Sequence, residues 1–444
     1  MNRWYESYGT EAVPLSQRQG GVMAPFLIMV NFFINPGTII TAAMGIAAGL
    51  SVLSVIAVQF TGVLLGMIAF LVMARMGVDY GLTGQMACRA ALGIRGGKWL
   101  TSPLRACCSI YWFAFQTQVG SLALAAVLQQ HFGITIPLMQ IALLFALAQV
   151  LVAVVGYRFL QGLFVWAFPL KMLCLAILVN ALIGSEPAGL VGFTETFELS
   201  ESNKQWLQIM GWFNAIFGGM LTMITDAADF TRYTSSRKAL WIGGLSGSAV
   251  GVLVAAGFGA GAMVIIGGNV DQLFHGLLSR SPSITVATAL IVLMILDNWT
   301  INVINLYSGG ISLCHTFEKL GRGRCTLLVS LFAVGLSCFP GVIQHYLYLA
   351  EGVGILFAGI AGVLLMDYWL RNWQLNVPAL YEGAQMSLGV NPYWYQGGFN
   401  TKAWGVIMMV VALGYSLPQS LPAPVLVIIL GATCYVFFCK KMNG

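Results

Sequence analysis

Residues 31–45 read NFFINPGTIITAAMG, and a polar, helix-breaking triplet, Asn35-Pro36-Gly37, interrupts an otherwise apolar run there. Proline removes a backbone donor and clashes with the preceding helical turn, while glycine is conformationally free, so we expect the helix to break at this point. Broken backbone at membrane depth is tolerated where it lines a cavity. The stretch therefore predicts an interrupted membrane span beside a binding site.

A second segment, residues 210–233, has the same character and reads MGWFNAIFGGMLTMITDAADFTRY. Gly218-Gly219 lies near its middle, and Asp226, Asp229 and Arg232 follow toward its inner end. Interrupted segments five spans apart are typical of transporters built from two inverted repeats, with the binding site at the membrane midplane. The alternative is that the proline only kinks its helix and that the glycine pair marks a close helix contact.

The composition of the 444-residue chain supports a membrane location: 58% of its residues are hydrophobic, 8% are charged, and its mean hydropathy is +0.83. An average soluble domain is about 25% charged. Soluble, disordered and nucleic-acid-binding classes are excluded, because each needs more polar sequence. The apolar runs are long and continuous rather than alternating, which favours an all-α polytopic membrane protein over a β-barrel.

Twelve segments have the length of about 20 apolar residues that a membrane-spanning helix needs. They begin near Gly21, Leu50, Ala106, Pro137, Gln161, Trp206, Ala239, Ile284, Thr326, Gln344, Ala403 and Leu421. The predicted organisation is a cytoplasmic tail (1–20), a first repeat of spans 1–5 (21–205), a second repeat of spans 6–10 (206–371), and a linker with spans 11–12 (372–444).

The basic residues set the expected orientation. With the N-terminus inside, only Lys204 and Arg280 of the 21 Lys and Arg face outward and Lys171 lies within a span. The inner face then holds Arg3, Arg18, Arg75, Arg89, Arg95, Lys98, Arg105, Arg158, Arg232, Arg237, Lys238, Lys319, Arg322, Arg324, Arg371, Lys402, Lys440 and Lys441. Such a bias follows the positive-inside rule and predicts a plasma or inner membrane protein with both termini cytoplasmic.

The third span carries an aromatic and amide motif, residues 111–118 (YWFAFQTQ). Trp112 and Gln116 are four residues apart and share one helix face. A flat, polar heterocycle could stack on the indole and pair its ring N–H or C=O groups with the amide. The alternative is a packed tryptophan beside a glutamine that bonds between helices, which is common in membrane bundles.

The eighth span carries a polar stripe at helical spacing, formed by Asn298, Asn302 and Asn305. Asp297 is costly at this depth unless it is paired, protonated or bound to a cation. Asp297 and Thr300 lie one turn apart and could supply oxygen ligands to a monovalent ion, although a hydrogen-bond network between helices is the alternative. Lys171, in the fifth span, either snorkels or pairs internally.

No catalytic constellation is visible in the sequence, so an enzyme is not expected. The nine cysteines are odd in number, and no CxxC or Cys/His pair has zinc-like spacing. The four histidines mostly lie near span ends. The glycines of the seventh span, at four-residue spacing from Gly243 to Gly251, favour close helix packing.

Several motifs, in a shared order along nearly the whole chain, resemble the nucleobase:cation symporter-1 family, which includes cytosine permease, allantoin permeases and a hydantoin transporter. They are residues 81–96 (GLTGQMACRAALGIRG), 112–116 (WFAFQ), 228–233 (ADFTRY), 299–302 (WTIN) with 306–307 (LY), and 367–368 (DY) with 380–381 (LY) and 395–400 (YQGGFN).

The resemblance implies a LeuT-like fold of five-plus-five inverted repeats and two further C-terminal helices. It implies a substrate stacked on Trp112 and bonded to Gln116, with Asn35 and Asn302 nearby. It also implies a sodium site between spans one and eight, in which main-chain oxygens near Asn31 and Ile34 join the Thr300 hydroxyl and Asp297, the latter through its main-chain carbonyl or, alternatively, its carboxylate. The substrate-binding candidates are Asn35, Trp112, Gln116, Gly219, Met220, Asn302 and Asn305.

Three positions depart from the family pattern. Met220 stands where relatives have an aromatic residue, which softens the second stacking surface and puts the usual substrate in doubt. Ile301 replaces the second hydroxyl of the cation site and weakens the case for sodium. Leu306 replaces an asparagine of the hydantoin transporter, although Asn305 is adjacent.

The expected function is a secondary active transporter that imports a small planar N-heterocycle, such as a nucleobase, allantoin or a hydantoin, in symport with Na⁺ or H⁺ by alternating access. Proton coupling through Asp297 or Asp226, including uptake of a vitamin-type pyrimidine, is the alternative. A passive channel or a membrane-embedded enzyme is a weaker reading. The expected partners are the heterocycle and the lipid bilayer, with no nucleic acid, no bound cofactor and a plausible monomer.

Overall fold

The computed structural model describes residues 9–153, 157–185, 203–381 and 391–440. Residues 1–8 of the predicted tail, the end of the predicted first repeat (186–202) and the last four residues lie outside this part of the chain, as do residues 154–156 and 382–390. Within the described residues, regular structure is helical apart from two isolated bridges.

Helices of eight or more residues follow one another along the described chain. They are α1 (Met23–Phe33), α2 (Pro36–Ala47), α3 (Val52–Tyr80), α4 (Gly84–Leu92), α5 (Ser102–Phe132), α6 (Leu138–Ala153), α7 (Tyr157–Ser185), α8 (Asn203–Leu221), α9 (Arg237–Ile266), α10 (Leu273–Arg280), α11 (Ile284–Thr316), α12 (Gly321–Ser337), α13 (Tyr346–Leu370), α14 (Thr401–Ser416) and α15 (Ala423–Lys440). Each of the twelve predicted segments contains at least one of them.

Seven helical stretches of the described chain are long and apolar enough to cross a membrane, and an eighth is added if the bent pair α1 and α2 forms one span. Three further apolar helices, within α6, α14 and α15, are shorter. The protein is therefore a helical, multi-pass membrane protein.

The break in the first segment is confirmed. The axes of α1 and α2 differ by 46°. Asn35 separates the two helices in an extended conformation, and its side chain accepts a hydrogen bond from the Thr38 N–H at 2.9 Å. Pro36 begins α2, where its missing N–H costs nothing and its fixed φ suits a helix. Asn35-Pro36 thus ends one helix and caps the next.

The second interruption lies three residues later than the glycine pair that was expected to mark it. Helix α8 runs unbroken through Gly218-Gly219 and ends at Leu221, after which turns lead to a short 3₁₀ helix, Ala227–Phe230. A Cβ atom on Gly218 would lie 2.9 Å from the Gly354 Cα of α13. The position predicted for the break is therefore wrong, and Gly218 instead allows α8 to pack closely against α13.

Helix α9 receives the first segment on a face of small residues. A Cβ atom on Gly247 would meet the Phe26 carbonyl oxygen at 2.5 Å, and one on Gly251 would meet Phe33 at 2.8 Å. Gly243 faces the start of α1 in the same way. The expected close packing of this span is confirmed, and it fixes the position of the broken segment.

A buried ion pair joins the second interruption to the rest of the bundle. Arg105 Nε of α5 lies 2.7 Å from Asp226 Oδ2, and both side chains are buried. Ser308 of α11 donates a hydrogen bond to the same carboxylate oxygen. A buried charge needs such partners, since an unpaired one is costly. The turn after α8 is therefore held to α5 by an ion pair and to α11 by a hydrogen bond.

Arg105→Ala should lower the free energy of unfolding by about 3–5 kcal/mol, because it leaves the Asp226 carboxylate buried and unpaired. Arg237→Ala is the matched control: Arg237 pairs with Asp79 but its side chain is 56% exposed, so the loss should be at most about 1 kcal/mol. Denaturant unfolding in detergent measures both values. Equal losses for the two variants would contradict the assigned role.

Candidate functional site

A cavity of about 90 Å³ lies where the break between α1 and α2 faces α5, α8 and α11. Its aromatic wall includes Phe32, Phe33, Trp112, Phe115 and Tyr346. Its polar lining consists of the side chains of Asn35, Thr38, Thr41, Gln59, Gln116, Thr222 and Asn305. The cavity is well below the roughly 300–1,000 Å³ of pockets for drug-sized ligands, so it favours a ligand of about one ring.

The cavity lining carries no Asp, Glu, Lys, Arg or His side chain among the described residues. A charged ligand in such a site would be buried without a counter-charge, which is costly. Amides and hydroxyls can instead pair with the N–H and C=O groups of a neutral molecule. The cavity is therefore suited to an uncharged, polar, flat ligand.

Trp112 is held by its neighbours in one orientation. Its Nε1 donates to the Thr222 hydroxyl at 3.1 Å, and that hydroxyl donates to the Gly219 carbonyl oxygen at 2.6 Å. The rings of Phe115 and Tyr346 approach the indole edge to face, each with centroids 6.1 Å away. The indole is thus fixed before any ligand arrives, which lowers the entropic cost of binding.

Gln116 links the third span to the helix break. Its Oε1 accepts a hydrogen bond from the Gly37 N–H at 2.7 Å. That N–H belongs to the first turn of α2, where it has no partner within the helix. Because this main-chain donor engages Oε1, it identifies the other end of the cavity-lining amide as the NH₂ group, which is a donor. Trp112 and Gln116 do share one face, as their spacing predicts.

The two asparagines predicted in span eight have different places. Asn305 lines the cavity, and its Nδ2 donates to Asn302 Oδ1 at 3.1 Å. Asn302 lies behind it, with its own NH₂ directed at the Thr117 hydroxyl and at Gln149 Oε1, at 3.0 and 2.5 Å. The structure therefore does not place Asn302 among the cavity-lining residues, and it matches the helix-to-helix network instead.

The remaining predicted contacts lie at the cavity. Asn35 lines it, but its amide is already engaged with the Thr38 N–H and hydroxyl. Gly219 lies below Trp112, since a Cβ atom there would be 3.5 Å from the indole. Met220 also lines the cavity and packs against Gly66.

Some cavity residues were not predicted from the sequence. Tyr346, at the start of α13, stacks on Phe115 with ring centroids 4.9 Å apart. Gln59 of α3 donates to the Thr41 hydroxyl at 3.1 Å. A glutamine in an otherwise apolar span is a usable signal for Gln59, whereas nothing in the local sequence distinguishes Tyr346 from other aromatic residues at a span end.

The four residues predicted to hold a cation come together below the cavity, around a cationic side chain. Lys171 Nζ of α7 lies 2.9 Å from the Ile34 carbonyl oxygen, 2.7 Å from the Thr300 hydroxyl and 2.9 Å from Asp297 Oδ1. The Asn31 carbonyl oxygen is the fourth neighbour, at 3.3 Å. Of the two alternatives for Lys171, internal pairing is therefore confirmed.

No group of three or more His, Cys, Asp or Glu side chains with metal-binding geometry occurs in the described ranges. Eight of the nine cysteines, all but Cys439 near the end of α15, are established as free of disulfides.

The sequence model of one protein family, described as permeases for cytosine and purines, uracil, thiamine and allantoin, matches residues 12–435. The chain belongs to this family. It is therefore a transporter and not an enzyme. The resemblance to the nucleobase:cation symporter-1 family is confirmed.

Curated relatives agree with this assignment. The hydantoin permease of Microbacterium maritypicum is 26% identical over 429 residues, covering 89% of this chain and 82% of the relative. The allantoin permease of Bacillus subtilis (strain 168) is 27% identical over 433 residues, covering 90% and 85%.

Solved structures share the fold. Mhp1, a nucleobase-cation-symport-1 family transporter in a closed conformation with bromovinylhydantoin bound, superposes with a TM-score of 0.79 at 20% identity, over 98% of this chain and 96% of that one. A Na⁺-coupled sialic acid symporter in a substrate-bound outward-open state gives 0.65 at 14% identity, over 95% and 91%. The permease fold is thus common to all three proteins.

Gly37→Ala should abolish most uptake. A Cβ atom there would lie 2.5 Å from Gln116 Nε2 and 2.8 Å from the Phe115 ring, so the amide and the aromatic wall must both move. Gly257→Ala in α9 is the control, since a Cβ atom at that helical position meets nothing within 4 Å. We expect at least about a tenfold loss of uptake for Gly37→Ala and less than about twofold for the control.

Uptake is measured in whole cells, with membrane abundance determined in parallel. If Gly37→Ala took up substrate as fast as the wild type, transport would not depend on the present position of the Gln116 amide.

Proposed function

We propose that the protein is a secondary active transporter that imports a small, neutral, planar N-heterocycle. The single observation that carries this proposal is the uncharged cavity in which the fixed Trp112 indole and the Gln116 amide share one wall. Membership of the permease family supplies the transport activity, and the cavity supplies the chemistry of the cargo.

The proposed substrate stacks on Trp112 and pairs its ring C=O or N–H groups with Gln116. The Gln116 NH₂ can donate to a ring carbonyl, and the Oδ1 of Asn305 is placed to accept a ring N–H. Phe115 and Tyr346 close the aromatic side. The relatives described as hydantoin and allantoin permeases handle rings of this kind, which have flat amide-like edges, so hydantoins, allantoin and pyrimidine bases are the substrate classes to test first.

The proposed architecture has twelve spans, in two inverted five-span repeats (21–205 and 206–371) followed by two further helices, with both termini in the cytoplasm. Two observations support it. A helix lies at each of the twelve predicted segments, and the interruptions after Phe33 and Leu221 occur in the first and sixth of them. The charge bias of the loops supports the orientation.

The cavity would open alternately to the two sides of the membrane as the helices that line it move. Interrupted helices of the two repeats line the site, and movement of one group of helices against the other would open it to each side in turn. The substrate would be driven against its gradient by an ion gradient. Accumulation above the external concentration distinguishes such a transporter from a passive channel.

A thermal-shift screen of single-ring heterocycles tests the substrate class. Ligands that bind the native state stabilise it by mass action, so the true substrate should raise the melting temperature in a concentration-dependent way. Hydantoin, allantoin, cytosine and uracil form the first panel, and a charged ring such as orotate serves as the negative control. A larger shift with orotate than with every neutral ring would contradict the neutral-substrate proposal.

Trp112→Ala should weaken binding of the best compound by about tenfold or more, because stacking of a base on an aromatic ring contributes about 1–3 kcal/mol. Trp112→Phe retains a ring and should lose less. Trp166→Ala on α7 is the matched control, since Trp166 is 78% exposed on the outer surface of the bundle. Unchanged affinity in Trp112→Ala would refute the stacking proposal.

A further inference from the structure

The Lys171 side chain is the feature that the transport site leaves unexplained. It is fully buried, and its Nζ has four oxygen neighbours between 2.7 and 3.3 Å. We call this cluster (Lys171 with the oxygens of Asn31, Ile34, Asp297 and Thr300) the ammonium site. Its four oxygens belong to the residues that the family resemblance implied as ligands of a sodium ion, and Asp297 contributes its carboxylate.

Three helices supply the ammonium site, and each contributes what its geometry makes available. Asn31 and Ile34 lie at the C-terminal end of α1, where main-chain carbonyls lose their helical partners and the helix dipole is negative. Asp297 and Thr300 come from one turn of α11. The Asn31 side chain also donates to the Phe164 carbonyl oxygen of α7 at 3.0 Å, which holds α7 against α1 two turns before Lys171.

The four oxygens surround Nζ at distances typical of hydrogen bonds to an ammonium group. Charge-assisted N–H···O hydrogen bonds are about 2.7–2.9 Å long, and three of the four contacts agree with that length. The Thr300 hydroxyl is oriented to accept from Lys171, because it donates its own proton to main-chain carbonyls of residues 296 and 297 at 2.9 and 3.0 Å. The centre that a metal ion would need is taken by Nζ.

The charges of the ammonium site also balance without a metal ion. One ammonium faces one carboxylate, and a second monovalent cation would lie next to Lys171 and be repelled by it. Cys174, one turn further along α7, is another titratable side chain close to Asp297. The residues present therefore do not fit sodium, and the absence of the second hydroxyl at Ile301 agrees with this.

We propose that Lys171 is a covalently attached cation that stands in for sodium, holding the end of α1 to α11 so that substrate binding needs no sodium ion. The effect on substrate binding rests on the proposed function. That Lys171 fills the site is independent of the proposed function, because it follows from the contacts of Lys171 alone.

The first test uses the purified protein without substrate and compares its melting temperature in NaCl, KCl and choline chloride at equal ionic strength. A protein that binds sodium is stabilised by it in a saturable way. We expect the three melting temperatures of the wild type to agree within about 1 °C. A saturable, sodium-specific rise in the wild type would overturn the proposal.

Variants of Lys171 give the complementary result. Lys171→Ala and the longer, neutral Lys171→Gln should melt lower than the wild type in choline chloride, because Asp297 is left buried and unpaired. Sodium, now able to reach the vacated oxygens, should restore part of that loss, whereas choline cannot. Lys238→Ala, which removes an exposed lysine, is the matched control and should respond to none of the salts.

The double variant Lys171→Met/Asp297→Asn removes both charges with little change of volume and should show no response to sodium. Two outcomes would contradict the proposal. One is a melting temperature of Lys171→Ala in choline chloride equal to that of the wild type. The other is that sodium raises the melting temperature of neither Lys171→Ala nor Lys171→Gln.

The second test measures the affinity of the heterocycle found by the thermal-shift screen. Wild-type affinity should change less than about twofold between NaCl and choline chloride, while Lys171→Ala should gain a sodium dependence of about tenfold or more. A wild-type affinity that rises tenfold with sodium would overturn the proposal. The substrate-free melting data decide the role of Lys171 whether or not a heterocycle binds, whereas a failed screen contradicts the proposed function alone.

Discussion

The structure depends on how the broken backbone between α1 and α2 is satisfied. In the membrane interior no water is available to pair with main-chain N–H and C=O groups, so each exposed group must find a protein partner. At this break, Gln116 accepts a hydrogen bond from the Gly37 N–H and Asn35 accepts one from the Thr38 N–H. Lys171 donates to the two main-chain carbonyl oxygens at the end of α1. The partners that satisfy the break are also the residues that build the site.

These partners divide the site into a neutral part and a charged part. On α11, Asn305 and Ile301 face the cavity, while Asp297 and Thr300, about one turn away, face Lys171. A substrate in the cavity therefore meets amides, hydroxyls and rings, and the charges are kept behind the helix break. Recognition can then rest on shape and hydrogen bonding, and the charged cluster can hold the helices together without selecting against a neutral ring.

The sequence could predict the elements whose signals are local. Asn35-Pro36-Gly37 combines a capping residue with a helix breaker, and the four-residue spacing of Trp112 and Gln116 fixes a shared face whatever the tertiary structure. Gly218-Gly219 misled because glycine serves both flexibility and close packing, and only the position of α13 decides between them. The spacing of Asn302 and Asn305 gives the face of the helix, but not that Asn305 lines the cavity while Asn302 bonds to Gln149 of α6, a residue 153 positions away in the chain. The partner of Lys171 could not be derived locally, since its four oxygens are more than 120 residues away in each direction along the chain.

The ammonium site has a consequence for how the conformations of the transporter are balanced. A ligand shifts a conformational equilibrium only by its differential affinity for the two states, and a free ion does so in proportion to its concentration. A tethered ammonium is always present at the same effective concentration. The free energy by which it stabilises the contact between α1 and α11 is therefore a fixed property of the chain. Sodium outside the cell then has no means of changing the balance through this site. Because Nζ lies between α1 and α11 among the residues that the family resemblance implied for a sodium ion, one side chain on α7 is sufficient to make that connection permanent.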